Sequence, residues 1–352
     1  MDAGRHANGE PDRERDRKLD HSRSKATLKS IAETAGVHPS TVSRALAGSP
    51  NSRIPRATID RINEAAEALG YEPNPWAKSL RTQRAMMIGL VIPRLSDVVL
   101  AQMFEAAQLR ALERGYQTVI ASAQTDGTYG TSIKGLVDGR TDGLVLATAA
   151  LDDPMLSEIE SLGVPFVLLN RSSGNYPSVC GDDELGGYLA TRHLIDQGHR
   201  RIAHLAGNPQ SSTGKYRAEG YRRALAEAGI ALDERLLLFG NVDIASSRAG
   251  AEAILGRPDR PDAVFAFTDL AALATMAVAR DLSLRIPDDV AIVGYNDSDI
   301  CSLLPIPLTS VHLPLLEMGS LAVDLLMQLL SGETAESIRM PPELVVRQSS
   351  RA

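Results

Sequence analysis

The sequence predicts two parts: an N-terminal all-α helix-turn-helix domain, then an α/β core of two lobes, each built on a doubly wound parallel sheet. Apolar residues recur at helical spacing through residues 27–73. From Met86 onward short apolar runs alternate with amphipathic stretches, and parallel strands need such helical crossovers. The runs number about nine, more than one sheet holds comfortably, which divides the core into two lobes with a cleft between them. A length of 352 residues also exceeds one ordinary core.

Residues 1–26 are polar, with the charged run Arg13, Glu14, Arg15, Asp16, Arg17 and Lys18, so a disordered tail is expected there. Leu28, Ile31, Ala32 and Ala35 fall at i, i+3, i+4 and i+7 and form one face of a first helix, which Gly36 ends. Pro39 suits the first position of a second helix, where its missing N–H costs nothing, and Val42, Ala45 and Leu46 line its apolar side. A third helix follows Pro55, with Ile59, Ile62, Ala66 and Leu69 inward and Gly70 as its stop. Expected strands are Ile88–Ile92, Thr118–Ala121, Gly143–Ala147, Phe166–Leu169, Arg201–Leu205, Leu236–Phe239, Ala263–Phe267, Val290–Val293 and Thr309–Val311. Helices are expected between them, at Met103–Arg114, Leu185–Gln197, Tyr216–Ala228 and Leu270–Arg280.

Apolar residues make up 43% of the chain and aromatics only 4%, so the core rests on Ala, Val, Leu and Ile rather than on rings. Two cysteines, Cys180 and Cys301, exclude a disulfide framework or a multi-cysteine metal site and fit a reducing compartment. The first 26 residues hold no apolar stretch able to serve as a signal peptide or membrane span, which predicts a cytoplasmic protein without membrane partners. The net charge of −7 is uneven: residues 1–84 carry 15 Lys and Arg against 11 Asp and Glu, leaving −11 for the rest. A basic head on an acidic body suits nucleic acid at one end.

Two short helices joined by a Gly-containing turn form a helix-turn-helix whose second helix, from Pro39 to about Ala47, can enter a DNA major groove. An ordinary helical hairpin shows the same pattern. Pro39 and Ser40 would face base edges, Arg44 can grip guanine bidentately, and Thr41 and Ser43 are better placed for phosphates. The stretch Gly70-Tyr71-Glu72-Pro73-Asn74-Pro75-Trp76-Ala77-Lys78-Ser79-Leu80-Arg81-Thr82, together with Thr27-Leu28 to Arg44, resembles the LacI/GalR family of bacterial repressors. The likeness continues through Ile88-Gly89-Leu90-Val91-Ile92-Pro93, Thr141-Asp142-Gly143-Leu144, Gly198-His199-Arg200-Arg201-Ile202-Ala203, Ile286-Pro287-Asp288-Asp289-Val290, Val293-Gly294-Tyr295 and Leu308-Thr309-Ser310-Val311. It covers about 27–352 in the right order.

The resemblance implies DNA contacts from Thr27, His38, Pro39, Ser40, Thr41, Ser43 and Arg44, and a hinge helix and linker over 74–84 that presents Asn74, Ala77, Lys78, Leu80 and Arg81 to DNA. Eight residues are too few for a stable isolated helix; Asn74 is a good N-cap, Pro75 a good first residue, and Leu80 an apolar wedge for the minor groove. A plain linker, with Leu80 and Trp76 against the core, is the alternative. The resemblance also implies a homodimer on a near-palindromic double-stranded operator, a nucleoid location, and a periplasmic-binding-protein-like core with lobe 1 at about 85–171 and 314–341 and lobe 2 at about 172–312 and 343–352. After Leu344-Val345-Val346-Arg347 there are no leucine heptads, so a dimer is expected rather than a coiled-coil tetramer. His38 departs from the usual capping Ser, and the loop Gly48–Ile54 is longer than usual.

Ligands in open α/β sheets bind beyond the carboxyl ends of strands, which selects Arg94, Ser96, Asp97, Asp152, Asn170, Arg171, Thr213, Arg217, Asp243, Thr268, Asp269, Asn296 and Asp297; the effector candidates taken from them are Arg94, Asp97, Asp152, Asn170, Thr213, Arg217, Asp243, Asp269 and Asn296. By resemblance, Arg217 and Asn296 fall where the family holds a sugar or purine, with Asp152 and Thr213 nearby. Val99, Leu100 and Val242 stand where rings stack on such ligands, and Asn296 where an aspartate is frequent. Without those rings strong stacking on a pyranose or purine is not expected, and a smaller polar ligand is: a sugar, polyol or sugar acid, with Arg217 and Arg94 meeting any negative charge.

An enzyme finds little support. Gly207–Tyr216 glances at a phosphate loop, but Pro209 stands where a glycine is needed and Tyr216 replaces the Ser or Thr. His193, His199 and His204 lie on different elements, and no metal or other cofactor is expected. A periplasmic sugar-binding protein would lack residues 27–82.

Overall fold

The computed structural model describes residues 27–46, 54–71, 84–122, 129–138 and 141–351. The expected tail, most of the loop 48–54 and the hinge residues Asn74, Ala77, Lys78, Leu80 and Arg81 lie outside the described residues. The chain divides into two compact units between Lys78 and Ser79.

The first unit holds α1 (Leu28–Ala35), α2 (Pro39–Leu46) and α3 (Arg56–Ala68). Thr27 caps α1 in a reciprocal box with Ser30, and Gly36 ends it at φ 64°, a left-handed cap that glycine takes without cost. Ile31, Ala32, Ala35, Val42, Ile62, Ala65 and Ala66 make the small core. Leu69, expected inward, is exposed: it sits beyond the last turn as the α3 cap, and Tyr71 folds back against the core, its N–H donating to the Ala66 carbonyl.

The second unit holds twelve strands among its described residues, in two six-stranded sheets. The first comprises β1 (Met87–Ile92), β2 (Gln117–Ser122), β3 (Gly143–Leu146), β4 (Phe166–Leu169), β5 (Ser178–Gly181) and β11 (Ile338–Met340). The second comprises β6 (Ile202–Leu205), β7 (Leu237–Leu238), β8 (Ala263–Ala266), β9 (Ala291–Asn296), β10 (Thr309–His312) and β12 (Glu343–Val345). Their orders, β11-β5-β4-β3-β1-β2 and β12-β10-β9-β8-β6-β7, match position for position, so β4 in one lobe corresponds to β9 in the other and β1 to β6. Only the β10–β12 pair is antiparallel among these ladders.

Central strands such as β3, Gly-Leu-Val-Leu, are buried at every position, as strands covered by helices on both faces must be. The covering helices are α4 (Val98–Glu113), α5 (Tyr129–Val137), α6 (Pro154–Ser161), α7 (Asp183–Asp196), α8 (Ser212–Glu227), α9 (Ile244–Leu255), α10 (Asp269–Asp281), α11 (Ile300–Leu303) and α12 (Leu315–Leu330). Helices α7 and α8 press together at glycines: a Cβ on Gly187 would run into the Arg217 carbonyl, and one on Gly220 into that of Glu184.

Sequence reading differs from the structure at β5, β11 and β12. Strand β5, Ser-Val-Cys-Gly, pairs with β4, so lobe 1 reaches Gly181 rather than ending near 171. These short strands lack a continuous apolar run and owe their existence to the neighbours they pair with.

Candidate effector cleft and nucleic-acid interface

Hydrogen bonds across the two lobes bring the carboxyl ends of their strands face to face. Beyond β1, Arg94 Nη2 donates to the Val242 carbonyl at 2.5 Å. Beyond β3, the Leu151 N–H donates to the Gln210 carbonyl at 2.8 Å. Beyond β4, the Ser172 N–H donates to Ser212 Oγ at 2.9 Å.

Arg217, on α8, is only 2% exposed. Its Nε donates to Asp183 Oδ1 at 2.7 Å and its Nη1 to the Phe267 carbonyl at 2.7 Å. The guanidinium lies 3.5 Å from the centre of the Tyr295 ring and 4.8 Å from that of Phe267, a doubly stacked cation. Burial pushes the Asp183 carboxyl above its ordinary range, while Arg217 and the Tyr295 hydroxyl pull it back. The close approach of α7 and α8 brings these charges together. The Arg217 charge is thus already paired with Asp183, but only two of its five N–H donors are committed inside lobe 2, and Nη2 has no partner among the described residues. In the sequence Asp183 showed only as part of an acidic first turn in α7, Phe267 only as the end of an expected strand, and Tyr295 only within a family-like stretch.

Asp269 receives a structural place instead of an open one. Its carboxylate accepts from Ser310 Oγ at 2.5 Å, and from both the backbone N–H and the Oγ of Ser298 at 2.8 Å. Burial still drives its carboxyl upward. Asp97 caps α4 by accepting from the Val99 and Leu100 amides. Asp243 caps α9 in a reciprocal box with Ser246, whose N–H draws the Asp243 carboxyl down, and its Oδ2 lies 3.9 Å from Arg94. Asp152 is exposed beside Asp153, which caps α6. Thr213 is buried in the first turn of α8, its Oγ1 3.2 Å from Ser211 Oγ.

Two neutral amides stand apart. Asn170 follows β4 with φ 64° and Asn296 ends β9 with φ 100°, so the corresponding strand ends of the two lobes both turn left-handed on an asparagine. Neither side-chain amide hydrogen-bonds to the described residues, although Asn296 is 3% exposed. Neither amide is among the fully buried polar atoms that lack a partner, so both are left open to solvent, and amides that donate and accept can meet ligand hydroxyls there.

On the helix-turn-helix, His38 stands at the N-cap of α2: its Nδ1 accepts from the Ser40 N–H at 3.2 Å and lies 2.8 Å from Ser40 Oγ. Thr27, His38, Ser40 and Arg44 are exposed, while Pro39, Thr41 and Ser43 are half-buried. Arg44 Nε donates to the Ser40 carbonyl at 3.2 Å, so both residues share the face that groove entry requires. In the core unit, Leu95, Val98, Leu109, Leu112 and Ile120 form an exposed apolar surface along α4 and β2. Among the described residues no helix is long and apolar enough to cross a membrane, and no cluster of possible metal ligands occurs.

Residues 27–74 match the family model of bacterial regulatory proteins, lacI family, and residues 191–350 match that of a periplasmic binding protein-like domain. The HTH-type transcriptional regulator CelR of Thermobifida fusca is 36% identical over 341 residues, covering 93% of this chain and 99% of that protein. The HTH-type transcriptional repressor PurR of Vibrio vulnificus is 30% identical over 332 residues, covering 92% and 98%. Among solved structures, a lac repressor dimer bound to operator and the anti-inducer ONPF aligns with a TM-score of 0.84 at 28% identity, over 93% of this chain and all of that one. A CelR–cellobiose complex aligns at 0.71 and 33%, over 92% of this chain and all of that one. From its capped recognition helix to its paired sheets, the chain belongs to the lacI family of bacterial regulatory proteins: it is a DNA-binding transcriptional regulator with an effector-binding core, and not an enzyme.

Proposed function

We propose that the chain is a repressor that binds a near-palindromic operator as a homodimer, on the nucleoid in the cytoplasm, and that a neutral sugar held between the lobes sets its operator affinity. The observation that carries the effector class is the Arg217–Asp183 pair, buried at 2.7 Å. A carboxylate or phosphate ligand calls for an unspent cation, and this guanidinium already has its counter-charge. Arg94 is partly engaged across the lobes, donating to the Val242 carbonyl and standing 3.9 Å from Asp243. Asn170 and Asn296 remain, and amides that donate and accept suit hydroxyls. Sugar acids thereby lose the place the sequence reading gave them. Cellobiose, the ligand in the CelR complex, is the first candidate.

The exposed side chains of Leu95, Val98, Leu109, Leu112 and Ile120, on and beside α4 and β2, are the surface proposed to meet a second copy of the chain, since apolar side chains grouped at a surface mark such contacts. Leu80 is the residue assigned to the minor groove. The test is a thermal-shift panel of cellobiose, other neutral sugars and sugar acids on the full chain, followed by gel retardation on its own promoter with each stabilising compound. Neutral sugars should raise the melting temperature and change operator retention. Stabilisation by sugar acids alone would overturn the effector class.

A further inference from the structure

The turn that carries Asn296 is held from outside its own strand. Asn296 and Asp297 take φ values of 100° and 53° in succession, a left-handed pair that costs free energy in residues bearing a Cβ and persists only where surroundings over-determine it. Arg347 supplies much of that constraint. Its Nη1 donates to Asp297 Oδ1 at 2.6 Å and to the Leu308 carbonyl at 2.8 Å. His312 Nδ1 lies 3.3 Å from Asp297 Oδ2 on the other side of the carboxylate. The Asp297 N–H donates to Ser310 Oγ at 3.1 Å, and the next N–H, that of Ser298, to Asp269.

Arg347 is itself fixed. Its N–H donates to Thr309 Oγ1 at 2.8 Å, and that hydroxyl donates back to the Arg347 carbonyl at 3.1 Å. The residue follows β12, which is separated from β11 in the other lobe by Pro341 and Pro342 alone. Both groups of the ion pair are mostly withdrawn from solvent, 20% and 11% exposed, where an ion pair is less screened than at the surface.

We propose that Arg347 is a positioning residue of the effector site: by gripping Asp297 it holds the left-handed Asn296–Asp297 turn and so sets where the Asn296 amide stands. The proposal rests on the reading that Asn296 meets the effector. It gives the last crossover between the lobes a direct hold on a ligand-facing residue.

The test is hydrogen–deuterium exchange on the full chain, read on peptides spanning residues 294–300, for wild type, Arg347→Met, Arg347→Lys and Asp297→Asn. Arg347→Met and Asp297→Asn should speed exchange of the Asp297 and Ser298 amides at least tenfold while strand β8 exchanges as before, and Arg347→Lys should restore much of the protection. Unchanged exchange in the turn overturns the proposal. So does acceleration spread equally through lobe 2, which marks a merely structural residue; Asp297→Asn, nearly isosteric, decides the matter if Arg347→Met does not fold. Failure of the effector reading would show separately, as an Asn296→Gly variant whose thermal shift with cellobiose equals that of wild type.

Discussion

Truncating Arg217 leaves the Asp183 carboxylate buried without its counter-charge, and breaking one side of a buried pair costs roughly 3–5 kcal/mol. Arg217→Ala should therefore lower stability by that order in denaturant unfolding, in addition to any effect on ligand response. Asn296→Gly separates the two. Glycine accepts φ 100° freely, so this variant should unfold close to wild type yet fail to respond to the effector in gel retardation. An unstable Asn296→Gly would make the amide a structural group. His204 adds a pH dependence. It is fully buried, stacked on Phe265 at 4.2 Å with Nδ1 2.9 Å from the Phe265 carbonyl, and its Nε2 has no partner. Burial pulls it from 6.5 down to about 3. The unfolded chain thus takes up this proton near pH 6.5 while the folded one refuses it, so stability is full above 6.5 and falls by about 1.4 kcal/mol per unit as pH drops towards 3. Denaturation across that window should show the slope in wild type and lose this share of it in His204→Gln.

On α2, Ser40 and Arg44 share one exposed turn, the face proposed to read the operator. Arg44→Ala should weaken specific operator binding by roughly 1–3 kcal/mol and binding to random DNA much less, as measured by retardation on both. Equal losses would reduce Arg44 to a phosphate contact. The exposed cap and the helix spacing around it were legible in the sequence, because capping and amphipathic periodicity are local. So were the central strands, whose two buried faces demand continuous apolar runs. Strands β5, β11 and β12 were not: Ser-Val-Cys-Gly, Ile-Arg-Met and Glu-Leu-Val become strands through partners distant in the chain. The cleft was legible only as a set of positions. Asp97 and Asp243 sit just past strands as a ligand residue would, but that is equally where the next helix needs its cap, and Asp269 differs from them only through Ser298 and Ser310, which spacing does not bring near. Arg347 was legible only as the end of the family-like stretch Leu344-Val345-Val346-Arg347, since its partner Asp297 lies fifty residues earlier.

For the whole molecule, a symmetric pair of helix-turn-helix heads should protect a near-palindrome of roughly 14–20 base pairs with half-sites about one helical turn apart. Footprinting on the chain's own promoter checks this, and protection of a direct repeat or a lone half-site would contradict it. Replacing Leu109 and Leu112 by Glu should shift the chain to monomer in sedimentation and shrink the footprint with it.

The matching strand orders of the two lobes carry one more consequence. Left-handed asparagines at the ends of β4 and β9 would treat the two ends of an elongated guest alike, and such a guest could lie either way round. What removes this ambiguity is on one side only: α8, after β6, buries Arg217, whereas its counterpart α4, after β1, buries Leu100, Met103 and Phe104 at its core face. The cleft can therefore tell head from tail. On the proposed reading, a disaccharide with one reducing end should bind in a single direction, and reversing its linkage should cost it recognition even where every hydroxyl is kept.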